Sequence, residues 1–208
     1  MNGYDFDDTI LNGNSMVQFS IFCTLRLPYL ILFIPVLIVA FLLRTVRILN
    51  KNRYLHVISW YVAVVPRAEW FASKFWDRNM KRVKPWYLAR RRDDDLVISA
   101  SPQFLVGEAC RRLGVRCLAS PLSPRSARLH GEHVYAEQKV ETYREAFGDE
   151  PLATFYSDSL SDTPMFKLAE KGYFVNGSKT LLLYENGQLV APCQNKRQLR
   201  RYLRQNTK

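Results

Sequence analysis

The sequence predicts an α/β protein, with a parallel-sheet core and a mostly helical insertion placed early in the chain. Three observations point there. Over residues 93–195, short apolar runs alternate with helix-patterned segments, which is the arrangement of a parallel sheet covered on both faces. Residues 13–92 differ in composition from what surrounds them: polar at first, then strongly apolar, then basic and aromatic. The length of 208 residues suits one sizeable domain with an insertion and is too short for two full domains.

The elements follow in order. Residues 1–4 form a short strand, more polar than most buried strands because of Asn2 and Gly3, and it runs into Asp5-Phe6-Asp7-Asp8-Thr9. Leu96-Val97-Ile98 is a buried-strand run, and Ser101-Pro102 marks a helix start with Pro at the first helical position. Phe104, Leu105, Cys110 and Leu113 continue that helix and Gly114 ends it. Residues 115–119 give another strand, and 139–147 a helix closed by Gly148. Residues 153–156 are a strand leading directly into Ser157-Asp158. A helix is expected over 164–171, ended by Gly172, with a strand at 173–175. The basic tail 196–208 carries Leu199, Tyr202 and Leu203 at helical spacing.

Charge is unevenly placed. The net charge is +11, yet residues 44–92 hold 13 basic and only two acidic side chains, and the rest of the chain balances at 17 of each. This local excess follows 17 uncharged residues, 27–43, flanked by Arg26 and Arg44. As one helix those residues would span about 25 Å, slightly less than a hydrocarbon core, and Pro35 would bend it. A second apolar stretch, 57–65, is shorter. Trp60, Trp70, Trp76 and Trp86 lie among the cations, a mixture that suits a membrane interface. Single-stranded nucleic acid can use the same mixture, but the apolar block has no role there, so no nucleic-acid partner is expected. Four scattered cysteines at neither disulfide-framework nor zinc spacing indicate a reducing compartment. Three acids in the first eight residues argue against a secretory signal. His130 and His133 form an HxxH pair best read as part of an exposed turn, and Arg90–Arg92 beside Asp93–Asp95 as a solvated junction.

The chemistry concentrates at strand ends. Asp5 and Asp7 are two residues apart where a strand opens into a loop, and Asp158 and Asp162 follow another strand. Like charges gathered this way call for a cation or a shared proton. Hard oxygen ligands suit Mg²⁺, which takes a few carboxylates, waters and a substrate phosphate. Ser99 follows a buried strand beside free backbone N–H groups, as anion binding needs, and Lys139 can add positive charge.

In order and spacing these residues resemble the four motifs of the haloacid dehalogenase-like phosphatase superfamily. Asp5, Asp7 and Thr9 match Asp-x-Asp-x-Thr, Leu96 to Ser99 the strand-Ser motif, Lys139 the third-motif lysine, and Asp158 with Asp162 the acidic fourth motif. The resemblance implies a core of residues 1–12 and 93–208 with a helical cap at 13–92. It implies Asp5 as nucleophile, Asp7 as general acid and base, and Ser99 and Lys139 as phosphate ligands. It also implies Mg²⁺ held by Asp5, Asp7 and Asp158 with Asp162 in support. Where the fourth motif reads Ser157-Asp158 and Ser161-Asp162, phosphoserine-type relatives often have Gly-Asp and Asn-Asp.

The apolar segment after the first motif resembles subfamily IB members of the phosphatidylglycerophosphatase C-like branch. The expected substrate is therefore a lipid phosphate monoester. The expected setting is an anionic membrane surface, with the active site on the cytoplasmic face and the apolar segment entering and returning as a shallow hairpin. A soluble phosphoserine-type phosphatase and a non-catalytic membrane-associated binding protein are the alternatives. The sequence leaves the oligomeric state open.

Overall fold

A computed structural model of the chain describes residues 1–46, 48, 57, 59–125, 133–192 and 195–206. Seven strands form one sheet in the order β3-β2-β1-β4-β5-β6-β7. They are β1 (Asn2–Tyr4), β2 (Leu96–Pro102), β3 (Arg116–Ser120), β4 (Thr154–Ser157), β5 (Lys171–Asn176), β6 (Lys179–Glu185) and β7 (Gln188–Leu189). The first five pair in parallel, whereas β6 and β7 add an antiparallel edge that the alternating pattern did not predict. The strand order reverses at β1, with β2 on one side and β4 on the other. That reversal opens the crevice beyond the carboxyl ends where ligands sit in such sheets.

The polar short strand β1 is explained by its neighbours. A Cβ on Gly3 would come within 2.8 Å of the Phe155 ring on β4. Asn2 bridges both flanking strands, accepting from Thr154 Oγ1 at 2.8 Å and donating to Asp95 at 3.3 Å. Asp95 is fully buried and also accepts from the Arg92 backbone at 3.0 Å. The acidic junction is therefore a structural support for β1 at this residue and not a solvated linker.

Strand periodicity sends Val97 to one face and Leu96 and Ile98 to the other. The first face carries α1 (Ser15–Thr24), α3 (Ala68–Asn79) and α5 (Gln103–Leu113), with Phe19, Phe75, Trp76 and Leu105 in one cluster with Tyr4 and Phe6. Two helices of the segment 13–92, α1 and α3, therefore pack on one face of the sheet. The second face carries α6 (Glu137–Phe147), α7 (Thr163–Leu168) and α8 (Lys196–Asn206), where Leu199 and Leu203 of the basic tail are buried. α2 (Ile34–Thr45) and the short α4 (Pro85–Leu88) complete the helices used below.

Three differences from expectation have a clear physical reason. α5 begins one residue later, with Pro102 still extended at its N-cap. The helix expected over 164–171 stops at Leu168, and Gly172 lies inside β5. There a Cβ would meet Phe166 Cβ at 2.7 Å, so this glycine permits close helix–strand approach instead of ending a helix. The apolar block 27–43 is not one bent helix: Pro28–Phe33 is a 3₁₀ segment and α2 begins at Ile34. Pro35 sits in the first turn of α2, where its missing N–H costs nothing. α2 has 12 residues, about 18 Å of helix, and among the described residues no helix is long and apolar enough to cross a membrane.

Candidate active site

Asp5 emerges from the carboxyl end of β1 with its N–H bonded to the Tyr156 carbonyl of β4 at 2.8 Å. The chain then makes a tight loop, Phe6–Ile10, in which Asp8 adopts a left-handed conformation (φ 56°), one that Asp tolerates better than most residues. Lys84 Nζ donates to the Asp8 carbonyl and fixes this loop. Thr9 Oγ1 donates to Asp5 Oδ2 at 3.3 Å and accepts from the Asp158 N–H at 2.9 Å, so the first and fourth motifs are joined through one hydroxyl.

Lys139, in the first turn of α6, reaches both carboxylates. Its Nζ lies 2.7 Å from Asp5 Oδ1 and 2.9 Å from Asp162 Oδ2, and Ser157 Oγ donates to the same Asp162 oxygen at 2.7 Å. Burial pushes the Asp5 carboxyl well above the usual carboxylate range; Lys139 pulls against this, and Asp162 adds to the rise. Burial alone would push the Lys139 ammonium down, but Asp5 and Asp162 more than reverse that and hold it above its ordinary value.

Asp7 belongs to a second set of contacts. Its carboxylate accepts from the Ser15 N–H at the start of α1, at 2.6 Å, and from the Ser101 hydroxyl of β2. Burial raises its pKa, while Ser101 and Ser15 oppose the rise. A carboxyl poised toward its protonated form suits a general acid. Ser99 accepts from the Ser101 N–H at 3.1 Å, which leaves its hydroxyl proton available to an anion. Asp158, at the end of β4, is paired with Lys196 of α8 at 2.9 Å and Arg200 at 3.7 Å.

Asp5, Asp7, Ser99, Lys139, Asp158 and Asp162 all line one pocket of about 470 Å³, within the range of small-molecule sites. The six residues singled out in the sequence are thus brought together, with supports that the sequence did not single out. Ser101 was visible only as a helix start, although its two-residue spacing from Ser99 puts both on one face of a strand. Ser15, Ser157 and Lys196 carried no local signal. His133 also lines the pocket, where Nδ1 meets Ser120 Oγ at 2.8 Å. Ser120 donates its own proton to the Ala100 carbonyl, so His133 is the donor in that pair, and its side chain belongs to the pocket wall instead of an open turn. His130 and Cys193 lie outside the described residues.

Among the described residues, no group of three or more His, Cys, Asp or Glu side chains forms a metal cage. The donor set still fits Mg²⁺, which is held by one or two carboxylates with substrate oxygens and waters completing its shell. Asp5 and Asp158 stand at adjacent strand ends, and Asp162 is already engaged by Lys139 and Ser157.

Comparison with known proteins agrees with this fold. The chain is similar in fold to a protein of unknown function from Bordetella pertussis Tohama I, at 17% identity and TM-score 0.65 over 83% of this chain and 87% of that one. It is also similar to a HAD family hydrolase from Salmonella enterica subsp. enterica serovar Typhi, at 12% identity and TM-score 0.61 over 80% of this chain and 59% of that one. No curated protein matches the sequence. The family model for haloacid dehalogenase-like hydrolases matches residues 3–167, which takes in Asp5, Asp7, Ser99, Lys139, Asp158 and Asp162, and the chain belongs to that family.

Proposed function

We propose that the chain is an Mg²⁺-dependent phosphomonoester hydrolase working through an aspartyl-phosphate on Asp5. The observation that carries this reading is Lys139 held between Asp5 and Asp162 at 2.7 and 2.9 Å. It is a buried cation beside a desolvated carboxylate in a pocket that also holds a second carboxyl, Asp7, whose burial raises its pKa. The Asp5 carboxylate attacks phosphorus, the phosphorus–oxygen ester bond breaks, and Asp7 gives its proton to the departing alkoxide. Asp7 then takes a proton from water as that water attacks phosphorus, which releases phosphate and frees Asp5. Ser99 and Lys139 hold the phosphoryl oxygens, and Lys139 offsets charge as the transition state forms. Asp5, the Asp7 backbone carbonyl and Asp158 would hold the Mg²⁺, which supplies charge neutralisation for a dianion approaching carboxylates. Asp162 positions Lys139.

The proposed substrate is a lipid phosphate monoester, such as phosphatidylglycerophosphate, placing the chain nearest the phosphatidylglycerophosphatase C-like branch of subfamily IB. The segment 13–92 serves as the cap, associates with an anionic membrane from one side, and leaves the pocket on the cytoplasmic face. The exposure of Leu32, Val36, Ile38, Val39, Leu42, Trp60 and Trp70 supports this reading, since large apolar side chains left exposed in number suit an interaction surface. Not every cation of the basic stretch is available to lipid: Lys84 is buried against the Asp8 carbonyl, and Arg91 donates to the Leu113 carbonyl.

Hydrolysis of a lipid-phosphate panel against phosphoserine, in detergent with Mg²⁺ and then with EDTA, tests the proposal. Phosphate release from the lipids, lost with EDTA and restored by Mg²⁺, is expected. Preference for phosphoserine would favour the soluble alternative, and no release from any ester would favour a binding protein.

A further inference from the structure

α1 begins at the active site and leads away from it. Asn14 caps it by accepting from the Val17 N–H at 3.0 Å, and its first N–H is spent on Asp7. Met16 and Val17 line the catalytic pocket and, equally, a second groove of about 460 Å³ between α1 and α2. Val17 and Ile21 of α1 and Leu25 at its C-cap follow at intervals of four, and are 58, 56 and 77% exposed. Ile34 and Leu37 of α2 form the opposite wall, with Tyr61 between. From Val17 to Leu25 the stripe runs about 12 Å.

The groove's polar groups are already used. Ser20 donates to the Met16 carbonyl at 2.9 Å, Tyr61 donates to the Ser20 carbonyl at 2.8 Å, and Thr24 meets the Tyr61 hydroxyl at 3.0 Å. Among the described residues, no charged side chain lines it. A polar occupant would lose its hydration without replacement, which is costly, whereas an apolar one loses nothing. Met16 and Val17 border both the groove and the pocket, so the two lie side by side and suit the two ends of one ligand that carries phosphate at one end and hydrocarbon at the other.

We infer that the α1–α2 groove is an alkyl-chain subsite: one chain of the substrate lies along Val17, Ile21 and Leu25 while its phosphate sits between Lys139 and Ser99. This rests on the phosphatase reading and adds which surface recognises the tail.

The test uses butyl phosphate and dodecyl phosphate below micelle-forming concentration, bound calorimetrically to the full-length Asp5→Asn protein and separately supplied to the wild-type enzyme with Mg²⁺. Full burial is worth roughly fourfold per methylene. In a half-open groove the eight or so additional methylenes of dodecyl phosphate are expected to tighten binding on the order of a hundredfold. Ile21→Glu and Leu25→Glu, each introduced separately at an exposed position, should cut that ratio about tenfold or more. A ratio near one in the parent protein, or a ratio untouched by both substitutions, overturns the subsite. So does loss of the ratio together with dimerisation in sedimentation, because a second copy would then cover the groove. Hydrolysis of butyl phosphate with a ratio near one removes the subsite and leaves the phosphatase. A large ratio without hydrolysis of either ester removes the phosphatase reading and leaves the groove's ligand class standing.

Discussion

Two lysine–aspartate clusters face the same pocket at nearly the same distances and are built in opposite ways. Lys139 lies 2.7 Å from Asp5 and 2.9 Å from Asp162, and its side chain is 2% exposed. Lys196 lies 2.9 Å from Asp158, but its side chain is 38% exposed and sits on the C-terminal helix. Distance alone would rank them equal. Burial separates them: in the first, each charge depends on its partners because water is absent, and in the second, water competes for both. The inner cluster is a fixed part of the site, and the outer one can give up its carboxylate to another cation.

The largest expected effect is on the inner cluster's chemistry. Asp5→Asn should lower turnover by about 10⁴-fold or more and lower stability far less than loss of Lys139, because the amide oxygen can still accept from Lys139, which also keeps Asp162. Phosphate release and chemical denaturation measure the two quantities, and substantial turnover in pure Asp5→Asn protein would break the assignment. Next, Lys139→Met leaves Asp5 and Asp162 buried without their cation, and should cost about 3–5 kcal/mol in denaturant unfolding. Asp162→Leu added to it should recover part of that stability and none of the activity.

The outer cluster should respond to ions more than to denaturant. Asp158→Ala should raise the Mg²⁺ needed for half-maximal rate at least about tenfold, since losing even an outer-shell partner typically costs that much. An unchanged Mg²⁺ requirement would remove Asp158 from the metal site. The smallest effect is Lys196→Ala, expected to change unfolding free energy by less than about 1 kcal/mol, and less still at high salt. A loss comparable with that of Lys139→Met would erase the contrast between the two clusters.

The same contrast governs what could be read from the sequence. Asp5, Asp7 and Asp158 were legible because each follows a strand end, and Ser99 because it follows the apolar run that opens β2, where local spacing carries the geometry. Lys139 was legible from its order among the motifs. Lys196 was not, because its partner is 38 residues away and only the docking of α8 brings them together. Asn2 and Gly3 looked wrong for a strand because their reasons lie in Thr154, Asp95 and Phe155, far along the chain. Gly172 looked like a helix stop because a glycine needed for close approach and one needed for a left-handed cap are the same letter. Pro35 looked like a kink because the start of α2 depends on the preceding 3₁₀ segment, which apolar periodicity does not reveal.

The central position of β1 also imposes an order of events. Its two hydrogen-bonding neighbours, β2 and β4, begin at Leu96 and Thr154. A growing chain advances by about 5–20 residues each second, so Asp5 waits several seconds before the strand beneath it is complete. The apolar residues 27–43 leave the ribosome long before that. Under the proposed association, the bilayer is therefore reached by a chain that has no active site yet, and the catalytic half is assembled afterwards on an anchor already in place.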